Sequence, residues 1–185
     1  FKRNVFPVLT PLAVDPGHPF PFISNLSVSF GVLMRYPDRP DEELFARIKV
    51  PAFFPTWLRL TPVDQDAEVR FVSLFEVIGS QLHTLFPGMD IIDIMMFRVS
   101  RNADVEKDEE DAEDLLILIA EELKERKFAK VVRLEHGPKP NRKILSILQD
   151  ELEIGTEDIY ELPLWLEYYD LGKITHLNRP ELKFS

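Results

Sequence analysis

Five prolines fall within the first 21 residues, at Pro7, Pro11, Pro16, Pro19 and Pro21, and they exclude a helix from the start of this chain. Each proline fixes its own φ, withholds a backbone donor and pushes the residue before it out of the helical region. Residues 5–12, Val5-Phe6-Pro7-Val8-Leu9-Thr10-Pro11-Leu12, are therefore expected to be extended, and a strand carrying prolines belongs at a sheet edge. Asp15-Pro16-Gly17-His18-Pro19-Phe20-Pro21-Phe22 follows as a stiff turn that holds aromatic rings between prolines, with little conformational entropy left to lose. A loop of that kind suits docking, which makes His18, Phe20 and Phe22 candidate contacts.

Beyond the turn the pattern changes to period two. Ser27-Val28-Ser29-Phe30-Gly31-Val32 alternates polar and apolar positions and runs on through Leu33-Met34-Arg35-Tyr36, the signature of a central strand. A turn over residues 37–41 leads to Phe45-Ala46-Arg47-Ile48-Lys49-Val50, which places Ala46, Ile48 and Val50 on one side and Arg47 and Lys49 on the other. The two segments read as a β-hairpin. Short strands are expected at 57–60 and 69–72, a strand covered on both faces at 91–99, and another at 130–135.

Helices announce themselves by caps and stripes. Ser73-Leu74-Phe75-Glu76 is a capping box, followed by Leu74, Val77, Ile78, Leu82 and Leu85 on one helical face. Pro87-Gly88 ends that helix. The longest helix is expected over 109–127, with acids crowding its first turn and Lys124, Arg126 and Lys127 in its last, matching the helix dipole at both ends. A third is expected over 141–152, with Ile144, Leu145, Leu148 and Leu152 inward and Gly155 closing it, and a short one from Pro163. The pattern predicts one α+β domain over 1–185, a mixed and largely antiparallel sheet of about six strands with helices packed on one face.

Composition then removes whole classes of function. The formal net charge of −10 argues against a nucleic-acid binder, since affinity for phosphate backbones comes from clustered Lys and Arg. With no Cys, disulfides, thiolate metal sites and cysteine nucleophiles are excluded, and the chain leans towards a cytoplasmic setting. No apolar run approaches the ~20 residues that a membrane-spanning helix requires. The chain starts without Met, enters an apolar segment at once and stops without a polar tail, as an excerpt of a longer protein would.

Catalytic signatures are equally scarce. There is no phosphate-cradling Walker loop, no GxGxxG and no HExxH. The acidic run over 104–111 has the composition of a hard-cation site but lacks the Gly and the terminal Glu at calcium-loop spacing, and reads as a solvated helix start. His18, His83, His136 and His176 have no carboxylate or lysine at a spacing that suggests base or nucleophile work, so no catalytic residue and no metal ligand is assigned. Met89, Met95 and Met96 read as core filler. The strands carry Arg35, Arg47, Lys49, Arg59, Arg70, Arg98 and Arg133, while most acids lie on helices and turns. The sheet face away from the helices is thus expected to be basic, and Arg47, Lys49 and Arg59 are the candidate contacts for a polyanion or an acidic partner surface.

The run from Val5 to Ser27, VFPVLTPLAVDPGHPFPFISNLS, resembles the opening of the middle, or head, domain of bacterial polyphosphate kinases of type 1. The resemblance continues through Ala46-Arg47-Ile48-Lys49-Val50-Pro51, Leu85-Phe86-Pro87-Gly88-Met89, Phe97-Arg98-Val99-Ser100-Arg101-Asn102-Ala103-Asp104, Glu113-Asp114-Leu115-Leu116 and Asn178-Arg179-Pro180-Glu181-Leu182-Lys183. It implies a cytoplasmic, in some settings membrane-associated, parent enzyme that moves the terminal phosphate of ATP onto inorganic polyphosphate with magnesium and a phosphohistidine. By the same resemblance that histidine lies in later domains, so this segment would hold no cofactor. Its role would be dimer or higher assembly, contact with the other domains of the same chain, and shaping of the polyphosphate and ATP site. An autonomous protein-interaction module with no polyphosphate role is the alternative.

Overall fold

The computed structural model describes residues 1–15, 17, 20–62, 68–102, 128–162 and 168–183. The helices expected over 109–127 and from Pro163, and the candidate contact His18, lie outside the described residues.

A six-stranded sheet organises the chain. β1 (Pro11–Val14), β2 (Val28–Tyr36), β3 (Arg39–Lys49), β6 (Asp90–Arg101), β7 (Val131–His136) and β8 (Ile159–Glu161) lie in the order β1-β3-β2-β6-β7-β8. Only the β7–β8 pair is parallel, so the sheet is mixed and largely antiparallel as the alternation predicts. The proline-bearing β1 takes the edge. A separate ribbon pairs β4 (Trp57–Arg59) with β5 (Phe71–Ser73).

β2 sits at the centre, and its alternation feeds two cores. Val28, Phe30, Val32 and Met34 join Ala46, Ile48 and Val50 of β3 and its flank, and α1 (Leu74–Gln81) covers them with Leu74, Phe75 and Ile78. On the other face, Leu33, Phe45, Met95, Phe97 and Val99 meet Ile144 and Leu148 of α2 (Arg142–Leu152). The α+β class therefore holds, but helices cover both faces rather than one. The reason lies in β2 and β6 themselves: both present apolar side chains in both directions, so each face needs a cover.

α1 and α2 start at side-chain caps, although at α1 only the Ser73 half of the expected capping box forms. Ser73 Oγ accepts from Phe75 N at 3.2 Å, and Asn141 Oδ1 accepts from Lys143 N at 2.9 Å and Ile144 N at 3.1 Å. Asn141 also donates from Nδ2 to Asp93 on β6 at 2.8 Å, and Lys143 pairs with Glu43 on β3, which pins the start of α2 to the sheet. Gly31 lets α2 approach: a Cβ there would lie 2.9 Å from the Phe45 ring and 3.0 Å from Ile144 Cγ2.

Three local expectations change. Phe6–Val8 forms a 3-10 turn instead of an extended run, because the fixed φ of Pro7 suits the first turn of a helix as well as a strand. β3 starts at Arg39, so Pro40 and Asp41 belong to the strand rather than to the turn. α2 ends at Leu152 as expected, but Glu153 in the left-handed conformation (φ 54°) closes it in place of Gly155.

Candidate functional site

Residues 20–27 cross one end of the sheet as a strap on the α2 face. Ile23 is fully buried, Leu26 N donates to Val99 O at 2.9 Å, and Ser27 folds back on Ser24 O through N and Oγ at 3.2 and 2.8 Å. The aromatic rings that the prolines space apart are used within the fold. Phe20 stacks on Phe45 with centroids 6.0 Å apart, and Phe22 packs on Phe128 at 5.2 Å.

Three cations hold the strap from below. Arg47 donates through Nη1 to Phe22 O at 3.0 Å and through Nε to Ser29 Oγ at 3.1 Å. Arg101 donates through Nε to Ile23 O at 3.0 Å and through Nη1 to Ala129 O at 2.6 Å, with its guanidinium carbon 4.5 Å from the centre of the Phe22 ring. Lys49 Nζ donates to Ser24 Oγ at 3.1 Å. Three neighbouring residues, Phe22, Ile23 and Ser24, thus each accept a hydrogen bond from a different cation.

No described carboxylate pairs with any of the three. Residues 20–27 contain no Asp or Glu at all. Arg47 is 3% exposed, and its Nη2 is buried without a partner. Burial pushes the Arg47 guanidinium down to about 10, which still leaves it charged at neutral pH, and desolvation lowers Arg101 as well. Carbonyl and hydroxyl oxygens accept from Nε and Nη1 of both arginines and from Lys49 Nζ, and neutral acceptors do not cancel a cation's charge.

The strap brings together Phe20, Phe22, Arg47 and Lys49 of the sequence candidates and adds Arg101. Arg101 stands among the residues that carry the family resemblance, yet nothing in its spacing separates it from an ordinary strand-end cation. Its place follows from alternation along β6, which puts Arg101 on the same face as Phe97 and Val99, beside the strap that bonds to Val99 O. Arg59 stands apart on β4, donating to Pro62 O at 3.4 Å. A single basic sheet face does not form. Strand pairing puts Arg47 and Lys49 opposite Gly31 and Ser29 on the α2 face, whereas Arg98 and Arg133 share Glu135 on the other, at 2.7 and 2.8 Å. Arg133 also covers the Tyr160 ring at 3.9 Å, and Arg70 is held by Glu68.

The other face has a cleft of about 330 Å³ at the same end, lined by Val28, Val50, Phe54, Thr56, Leu74 and Asp170. Asp170 Oδ2 accepts from Thr56 N at 2.7 Å, and that bond holds its carboxyl below the usual range. His136 is buried and donates from Nδ1 to Gly137 O at 2.6 Å, and His176 donates from Nδ1 to Gly172 O. Among the described residues, no group of three or more His, Cys, Asp or Glu could hold a metal ion. No described helix is long and apolar enough to cross a membrane.

The fold defines the class first. A solved structure of a polyphosphate kinase from Porphyromonas gingivalis contains this arrangement, with a TM-score of 0.69 at 20% identity, covering 98% of this chain and 24% of that one. The family model described as the polyphosphate kinase middle domain matches residues 1–174, and the chain belongs to that family. A polyphosphate kinase of Streptomyces coelicolor is 42% identical over 184 residues, and one of Synechocystis is 45% identical over 191. The alignments cover 100% and 99% of this chain but 24% and 26% of those relatives, so the chain spans about a quarter of their length.

Proposed function

We propose that this chain is a non-catalytic domain, spanning 1–185, of a cytoplasmic enzyme that transfers the terminal phosphate of ATP to inorganic polyphosphate. Its work is assembly of the parent dimer and shaping of the site where the phosphate chain, ATP and magnesium meet, in contact with the other domains of the same polypeptide. The match to the polyphosphate kinase middle domain over residues 1–174 carries this reading. Two features support a scaffold role. Both faces of the sheet are closed by helices into rigid apolar cores, and the buried His136 has Nδ1 engaged with a backbone carbonyl rather than presented to a substrate.

Grafting this chain in place of the corresponding segment of the Streptomyces coelicolor relative tests the proposal. The chimera is expected to make polyphosphate from ATP and to sediment as the parent does, whereas deletion of the segment abolishes both. The isolated chain is expected to consume no ATP with polyphosphate and magnesium present. Turnover by the isolated chain, or a folded chimera with none, overturns the reading.

A further inference from the structure

The strap end of the sheet combines features that a purely structural salt-bridge network lacks. Arg47, Lys49 and Arg101 converge on Phe22, Ser24 and Ile23, yet no described carboxylate answers any of them. A buried cation without an anion is costly, and removing one partner of a buried pair ordinarily destabilises by several kcal/mol. A fold whose formal charge is −10 has acids to place here, but none stands in residues 20–27. Where the same chain uses cations structurally, it does supply the acid: Arg98 and Arg133 share Glu135, Lys143 meets Glu43, and Arg39 meets Glu42.

We propose that the strap is an anion-binding site, taking a phosphate chain across Ser24 with Lys49 and Arg101 as its contacts and Arg47 as the buried charge beneath. Lys49 is exposed and Arg101 half-buried, so both are within reach of an anion lying on the strap. Arg47 has no accessible donor and acts through its field, which the apolar surroundings of Phe45 and Ile23 screen poorly. Two guanidinium groups and an ammonium spread over adjacent residues suit a ligand with repeated charge better than a single carboxylate. The choice of a phosphate chain as the natural anion rests on the function proposed above; the presence of an anion site does not.

Binding to the full chain is measured by calorimetry with orthophosphate, ATP, long-chain polyphosphate and poly-glutamate as probes. Affinity is expected to rise from orthophosphate to polyphosphate and to exceed that for poly-glutamate. Lys49→Gln lies on the surface and leaves the fold intact; it is expected to weaken polyphosphate binding about fivefold, against less than about twofold for Lys139→Gln, an equal charge change on a distant turn. Ser24→Asp supplies the missing carboxylate. It is expected to raise the melting temperature and to weaken polyphosphate binding by more than about tenfold. Equal losses in Lys49→Gln and Lys139→Gln, undiminished binding by Ser24→Asp, or tighter binding of poly-glutamate overturns the site. A chimera that turns over ATP while binding ignores Lys49 and Ser24 sinks the site alone. Strap-dependent polyphosphate binding beside an inactive chimera sinks the proposed function alone.

Discussion

Two adjoining regions on the α2 face of the sheet are closed by opposite means. At the centre, Phe45, Phe97, Ile144 and Leu148 pack without a polar atom between them, with Gly31 admitting the helix. At the strap end, Arg47, Lys49 and Arg101 hold a proline-stiffened loop through backbone oxygens and Ser24. The apolar region is complete in itself, because dispersion and burial have no unused valence. The strap region keeps positive charge that no described carboxylate cancels. Stability is concentrated in the first region and the capacity to bind in the second.

Several substitutions probe that contrast. Phe97 is fully buried, and Phe97→Ala is expected to cost about 3–5 kcal/mol in urea unfolding, independent of added phosphate. Arg101→Leu removes donors to two carbonyls at a half-buried position and is expected to cost about 1–2 kcal/mol. Its cost should grow at high salt, where screening weakens the repulsion from Arg47 and Lys49 that the substitution relieves, whereas Phe97→Ala is unchanged; a salt-independent Arg101→Leu would erase the distinction. The smallest effect belongs to the other face, at Asp170→Ala, which frees Thr56 N. The folded carboxyl lies below its unfolded value near 3.8, so its stabilisation is full above that pH and fades as pH falls through the lower folded value. The melting temperatures of Asp170→Ala and the parent should therefore converge in acid; a constant gap would show that the ionised carboxylate is not what matters.

Much of this was legible from sequence, for reasons that are local. Ser73 and Asn141 mark helix starts because a side-chain oxygen next to free backbone donors acts within three residues. The alternation over 27–36 identifies the central strand, and Pro11 the edge. Reading helices onto one face failed because alternation shows that a strand has two sides but not what covers each. The basic face failed for a related reason: cations on different strands share a face only if the register says so, and Arg47 and Arg98 fall on opposite sides.

By itself the amino-acid sequence determined the α+β class, the family, the proline-stiffened aromatic loop and the absence of acid from residues 20–27, all of which depend on neighbours along the chain. Only the tertiary structure decided that Phe20 stacks on Phe45 while the exposed Phe22 packs on Phe128, that Arg47 is buried rather than presented, and that Arg101 joins it 54 positions later along the numbering. Those outcomes depend on strand register and the path of a loop over a sheet, quantities set by packing between distant segments and not by any local preference.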